Sequence, residues 1–273
     1  MAELSPMMKQ YLRIKSQNED SILFFRVGDF YEMFFDDAKK ASDELDLTLT
    51  GKDCGMGERA PMCGVPYHSC ESYIARLVQK GYKVAICEQT EDPKTAKKLV
   101  DRDIIRVITP GTVIEDMMLE EGKNNYLAAV ALTGDGVGLC FTDASTGECH
   151  LTSFPAGNYN SAVSDELLRF APREILVAES FKAKSAALWD FLQGNFKAGI
   201  TVRKEEAFEP QKTEELFVKH FGISELEERG IDKASSKAAA LGAVIDYLYE
   251  TGRTGSISVN KIDVYTDSQF MRL

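Results

Sequence analysis

The chain has 273 residues, of which 44% are hydrophobic, 27% charged and 10% aromatic. That composition is ordinary for a globular protein and excludes collagen-like, disordered and disulfide-scaffold classes, while the length suits two units with separate cores. A net charge of −11 argues against holding nucleic acid through a global positive field, although it permits a local basic patch.

Taken in chain order, Ser5 before Pro6 reads as the N-cap of a helix over residues 5–19, with Met7, Met8, Tyr11, Leu12 and Ile14 as its apolar residues. Ser21–Val27 reads as a strand that stops at the turn dipeptide Gly28-Asp29, and from Tyr31 to Leu45 the spacing of apolar residues is helical. The glycines and prolines between Thr50 and Tyr67 predict a loop with one short strand at most. A helix over Ser69–Lys80 closed by Gly81, then strands over Lys83–Gln89 and Ile104–Thr109, complete a first α/β unit assigned to residues 1–120. The acidic run Glu115–Glu121 is expected to connect it to a second unit over residues 121–262. There Tyr126–Leu132, Val137–Asp143 and Glu148–Phe154 predict three antiparallel strands. A helix over 161–170, a strand over 175–178, a helix over 185–192, a strand over 200–203 and helices over 213–221 and 235–251 follow. Residues 263–273 read as the truncated start of a further element.

The six cysteines form no C-x-x-C pair and the three histidines lack ligand spacing, so no metal site is expected and the thiols are expected to be reduced. No signal-peptide pattern opens the chain, and its longest clean apolar run, Leu127–Leu132, is too short to span a bilayer. A cytoplasmic location without membrane contact is expected.

Candidate chemistry concentrates in Gly28-Asp29-Phe30-Tyr31-Glu32. The aromatic density from Phe24 to Phe35 exceeds what one strand and one helix need for packing. Phe30, at the exit of a tight turn, suits an apolar wedge of the kind that unstacks a base step. Glu32, two residues on, has a carboxylate able to accept from a displaced base or, when protonated, to donate to it. Packing physics alone offers the other option, Phe30 in the core and Glu32 beside a helix dipole. Lys94, Lys97, Lys98, Arg102 and Arg106 give residues 94–106 a local excess of positive charge suited to phosphate contacts, or to a solvated face.

Met7-Met8-x-x-Tyr11-Leu12, Gly28-Asp29-Phe30-Tyr31-Glu32, Pro61-Met-Cys-Gly64-Val-Pro66-Tyr67-His68, Val84-Ala-Ile-Cys-Glu88-Gln89 and Thr109-Pro110-Gly111-Thr112 stand in this order and spacing. With Asn124-Asn125-Tyr126-Leu127-Ala128-Ala129 and Thr142-Asp143-Ala144-Ser145-Thr146-Gly147-Glu148, they make nearly the whole chain resemble the MutS family of DNA mismatch-recognition proteins. The resemblance implies an α/β fold: a mixed-sheet mismatch-binding domain, then an RNase H-like connector, with residues 263–273 beginning a lever domain. It implies that Phe30 inserts beside a mispaired base, that Glu32 hydrogen-bonds that base, and that Pro66, Tyr67 and His68 lie in a loop approaching the DNA. For the longer protein it implies a homodimer, ATP with Mg, and recruitment of MutL through the connector. No G-x-x-x-x-G-K-[ST] phosphate loop occurs in these 273 residues. The chain is therefore expected to carry no ATPase, catalytic residue or cofactor of its own, and to be a monomeric N-terminal part of a longer family member that binds mismatched duplex DNA.

Two rivals stand beside this reading. Asp143 with Glu148, in an RNase H-like setting, invites a nuclease holding Mg²⁺. The acidic balance of residues 121–273, 16 basic against 22 acidic side chains, suits a protein-interaction module with no DNA binding of its own, and the resemblance implies MutL as what it contacts.

Overall fold

Ser5 accepts from the Met8 N–H at 3.4 Å and Pro6 follows at the first helical position, so helix α1 begins where its cap predicts and spans Pro6–Lys15, ending four residues short of the expected limit. The computed structural model describes residues 4–55, 57, 59–91, 99–196, 199–221, 230–252 and 259–266. It parts into two units between Thr109 and Pro110, which puts the stretch from Pro110 through the acidic run with the second.

In the first unit, strand β1 (Ser21–Val27) turns directly into β2 (Phe30–Phe34), with Val27 opposite Phe30 and Phe25 opposite Glu32. This corrects the helix expected from Tyr31: helix α2 starts only at Phe35 and runs to Leu45. Gly28 takes a φ of +58° and Asp29 does not follow it into the left-handed region, the pattern of a two-residue hairpin loop with glycine first. That loop commits the next residues to an antiparallel partner, and the aromatic bulk of Phe30, Tyr31 and Phe34 suits a pleated surface. No loop separates strand from helix; Phe35, at φ +55°, makes the corner.

The expected loop between Thr50 and Tyr67 is instead a second hairpin, β3 (Thr50–Asp53) with β4 (Arg59–Pro66), and β4 pairs along β2. Its glycines and prolines misled because they sit where sheet geometry tolerates them. Gly64 lies opposite Glu32, where a Cβ would come within 3.2 Å of the Tyr31 carbonyl oxygen. A 3₁₀ turn over Tyr67–Ser69 leads into helix α3 (Cys70–Gln79), and Gly81 and Tyr82 donate back to Val78 and Leu77 in the glycine-closed cap that the sequence announces. Strands β5 (Lys83–Gln89) and β6 (Arg102–Ile108) complete a sheet ordered β3-β4-β2-β1-β5-β6, in which only β1 and β5 run parallel. Met8, Tyr11 and Ile14 of α1 pack with Leu23, Phe25, Phe34 and Cys87. On the other side α2 lies against β4, with the Cys63 thiol donating to the Ala38 carbonyl at 3.4 Å.

The second unit keeps the expected antiparallel meander: β7 (Tyr126–Thr133), β8 (Gly136–Asp143) and β9 (Glu148–Pro155). Helix α4 (Asn160–Phe170) returns the chain to β10 (Glu174–Ala178), which runs parallel to β7. Helices α5 (Phe181–Lys184) and α6 (Ala186–Asn195) lead to β11 (Ile200–Arg203), parallel to β10. Helices α7 (Pro210–His220) and α8 (Ser236–Gly252) follow, and β12 (Lys261–Val264) pairs parallel with β9, so this sheet runs across residue 262. A meander extended by crossover-linked parallel strands, ordered β11-β10-β7-β8-β9-β12, is the arrangement an RNase H-like reading calls for. Helix α8 buries Ala239, Leu241, Val244 and Ile245 against Leu127, Ala129 and Cys140. Its first turn sits so close to β8 that a Cβ on Gly138 would fall 2.0 Å from the Ser236 carbonyl oxygen. The six cysteines are free thiols.

Candidate nucleic-acid interface

Phe30 is 47% exposed, at the first position of β2 beyond the hairpin loop. It therefore does not join the core, unlike Phe24 and Phe25 on the preceding strand, which are fully buried. Glu32 lies two residues on, and the pleat puts both on the sheet face that carries Phe25 and Val27, their cross-strand neighbours. Pro66 is the partner of Phe30 on β4, and His68 is exposed in the 3₁₀ turn that follows. Phe30, Glu32, Pro66 and His68 are thus brought to one end of the sheet. Tyr67, beside them, is 43% exposed rather than packed inward.

The Glu32 carboxylate is only 14% exposed and its Oε2 accepts from Lys52 Nζ of β3 at 2.5 Å. Lys52 also lies 5.7 Å from the centre of the Phe34 ring. The sequence offers no local sign of this pair, since the two residues meet only through the β2–β4–β3 register. A carboxylate oxygen has more than one acceptor site, so the bond to Lys52 does not exhaust what Glu32 can accept.

On the opposite face Arg26 organises the corner. Its Nε donates to the Gly28 carbonyl at 2.6 Å and its Nη1 to Glu88 Oε1 at 3.0 Å, while Tyr31 Oη donates to the same Glu88 oxygen. Burial first, then the bond to Glu88, push the Tyr31 phenol above its ordinary range. The Arg26 guanidinium stacks 3.8 Å from the centre of the Tyr67 ring, and the Tyr67 N–H donates to the Asp29 carbonyl at 3.0 Å.

The basic candidates separate. Arg106 pairs with Ile86 between β6 and β5, and therefore sits on the face opposite Phe30 and Glu32 and three strands away from β2. Arg102 is buried: its Nε donates to the Arg26 carbonyl at 2.7 Å and its Nη1 to Gln10 Oε1 at 2.9 Å, and the guanidinium lies 4.9 Å from the centre of the Phe25 ring. Arg102 serves the core and is withdrawn as a phosphate contact. Lys94, Lys97 and Lys98 lie outside the described residues.

In the second unit Asp143 is 1% exposed and fully engaged. Oδ2 accepts the Asn125 N–H at 2.9 Å; Oδ1 accepts the Ser145 N–H at 2.9 Å and its hydroxyl at 2.6 Å. Those bonds build the β8–β9 turn. Glu174, also buried, accepts from Thr201, Tyr247 and the Gly111 N–H. Among the described residues no group of three or more His, Cys, Asp or Glu side chains is arranged to hold a metal ion, and no helix is long and apolar enough to cross a membrane.

The chain thus holds two mixed α/β units, the first presenting an aromatic ring and a carboxylate from one hairpin. Residues 5–117 match the family model of MutS domain I, and residues 125–263 that of MutS domain II. The chain belongs to the MutS family. All 273 residues align at 46% identity with the DNA mismatch repair protein MutS of Acetivibrio thermocellus and at 44% with that of Ruminiclostridium cellulolyticum, in each case over 31% of the relative. The MutS of Pelotomaculum thermopropionicum is 46% identical over 268 residues, 98% of this chain and 30% of that protein. The chain thus spans about a third of the length of the curated relatives it matches.

Proposed function

We propose that this chain recognises mispaired or unpaired bases in duplex DNA, with Phe30 as the stacking wedge and Glu32 as the hydrogen-bonding check. The observation that carries the reading is an aromatic ring left 47% exposed on a hairpin whose neighbouring rings are buried. A mispair lowers the cost of unstacking and kinking, so inserting a ring costs less at a mismatch than at a paired step. Stacking of Phe30 on a base contributes about 1–3 kcal/mol. The Glu32 carboxylate, paired with Lys52, accepts a base imino or amino hydrogen. Pro66 and His68 flank the wedge, and Lys97 and Lys98 supply phosphate contacts; Arg106, on the other face, contributes only if the duplex reaches that side.

In the longer protein these two domains would act within a homodimer whose ATP and Mg²⁺ sites lie outside this chain. The connector would contact MutL; its residues 121–262 are acidic in balance, 15 basic against 20 acidic side chains. The nuclease reading of Asp143 loses its support, because the side chain is buried and its two oxygens accept from Asn125 and from the turn residue Ser145.

The test is fluorescence anisotropy at low salt, titrating the chain into a duplex with one G·T mispair and into its matched control. Tighter binding to the mispair, abolished in Phe30→Ala and weakened in Glu32→Ala, is expected. Equal preference in wild type and Phe30→Ala contradicts the wedge, and no binding to either duplex favours a protein-contact module.

A further inference from the structure

An exposed ring is a poor wedge unless its base is rigid, because a mobile corner would relax before a base step opened. Both carbonyls of the Gly28-Asp29 loop are tied down from outside the loop: Gly28 by Arg26 Nε and Asp29 by the Tyr67 N–H. The two ties are themselves joined, since the Arg26 guanidinium lies over the Tyr67 ring, 3.8 Å from its centre. Glu88, on β5, fixes the other end of the guanidinium and takes the Tyr31 hydroxyl, which anchors β2 immediately after Phe30. Arg26 is 16% and Glu88 25% exposed, so the ion pair is sheltered from solvent. These four residues come from β1, β2, β5 and the 3₁₀ turn, and all lie on the side away from Phe30, Glu32 and Lys52.

We infer that Arg26, Glu88, Tyr31 and Tyr67 form a clamp that positions the Phe30 wedge, making them positioning residues for mismatch discrimination without contacting the base. The inference rests on the reading of Phe30 as the wedge. The planar guanidinium is what the clamp requires: it donates along its edge to a carbonyl and a carboxylate while offering its face to an aromatic ring, and a lysine ammonium has no such geometry.

The experiment uses the 273-residue chain in four forms: wild type, Arg26→Lys, Tyr67→Leu and Phe30→Ala, with Arg26→Lys and Tyr67→Leu also built in the Phe30→Ala background. Without DNA, amide hydrogen exchange is followed at Tyr67 and at Leu23 and Phe24. In Arg26→Lys the Tyr67 amide is expected to exchange about tenfold faster, with Leu23 and Phe24 unchanged. With DNA, the ratio of matched to G·T dissociation constants is expected to fall about fivefold or more in Arg26→Lys and in Tyr67→Leu, and to show no further fall when either is added to Phe30→Ala. A purely structural role would lower both affinities together and would add to Phe30→Ala. Unchanged Tyr67 exchange in Arg26→Lys overturns the clamp. Faster exchange with full discrimination overturns the positioning role and leaves Phe30 as the wedge. Discrimination retained in Phe30→Ala overturns the functional reading itself, whatever exchange shows. Should Arg26→Lys fail to fold, the surface variant Tyr67→Leu decides by the same outcomes.

Discussion

Two hairpin turns in this chain use an aspartate in opposite ways. In the first unit Asp29 is exposed, the loop is held through its backbone carbonyls, and the residue after it, Phe30, faces solvent. In the second unit Asp143 is buried, and its side chain is the scaffold on which Asn125 and Ser145 are fixed. The first turn keeps its side chains exposed while its backbone is anchored from elsewhere. The second has no side chain to spare. An acid beside a strand is therefore weak grounds for chemistry until the fate of its oxygens is known.

The comparison is broken most severely by Asp143→Ala. It strands two backbone donors and a hydroxyl, and should lower the unfolding free energy by about 3 kcal/mol in urea titration while leaving mismatch preference intact. Phe30→Ala should do the reverse. It loses about 1–3 kcal/mol of mispair affinity in anisotropy, and changes stability by no more than about 0.5 kcal/mol because the ring is half exposed. A smaller effect belongs to Glu205, whose carboxyl is held below its usual 4.5 by hydrogen bonding from Ser180 and, after a counteracting burial cost, by Lys184. A depressed folded-state pKa stabilises above the unfolded value and is lost as pH falls through the folded one. Acid unfolding followed by circular dichroism below pH 4.5 should thus be shallower in Glu205→Gln than in wild type. The smallest change is expected for Asp29→Ala, within about 0.5 kcal/mol in the same urea titration, because the Tyr67 bond goes to the Asp29 backbone and survives.

Much of this was legible in one dimension. The α1 cap at Ser5, the closing Gly81, strands β1, β5 and β11, the three-stranded meander and the buried helix α8 all follow from local signals whose partners lie within a few residues or whose apolar period is long. Strands β2, β3 and β4 were not legible. Tyr31, Phe34, Ala38, Ala41 and Leu45 fall at helical spacing across what is really a strand followed at once by a helix, and the left-handed Phe35 that separates them leaves no mark in sequence. The glycines and prolines of β3 and β4 signal a loop until a neighbouring strand is present to pair with them.

The sequence by itself put a ring and a carboxylate, Phe30 and Glu32, directly after a turn, because residue chemistry and turn signals are local properties; it left open whether the ring packs inward or faces solvent. Tertiary structure decided what each of them meets. It put Lys52 on Glu32 through strand register, drew Arg102 into the core, sent Arg106 to the opposite face, and built a clamp under the hairpin from Arg26, Tyr31, Tyr67 and Glu88. Side-chain pairing across a sheet depends on the order and register of strands far apart in the chain, and no local pattern fixes either.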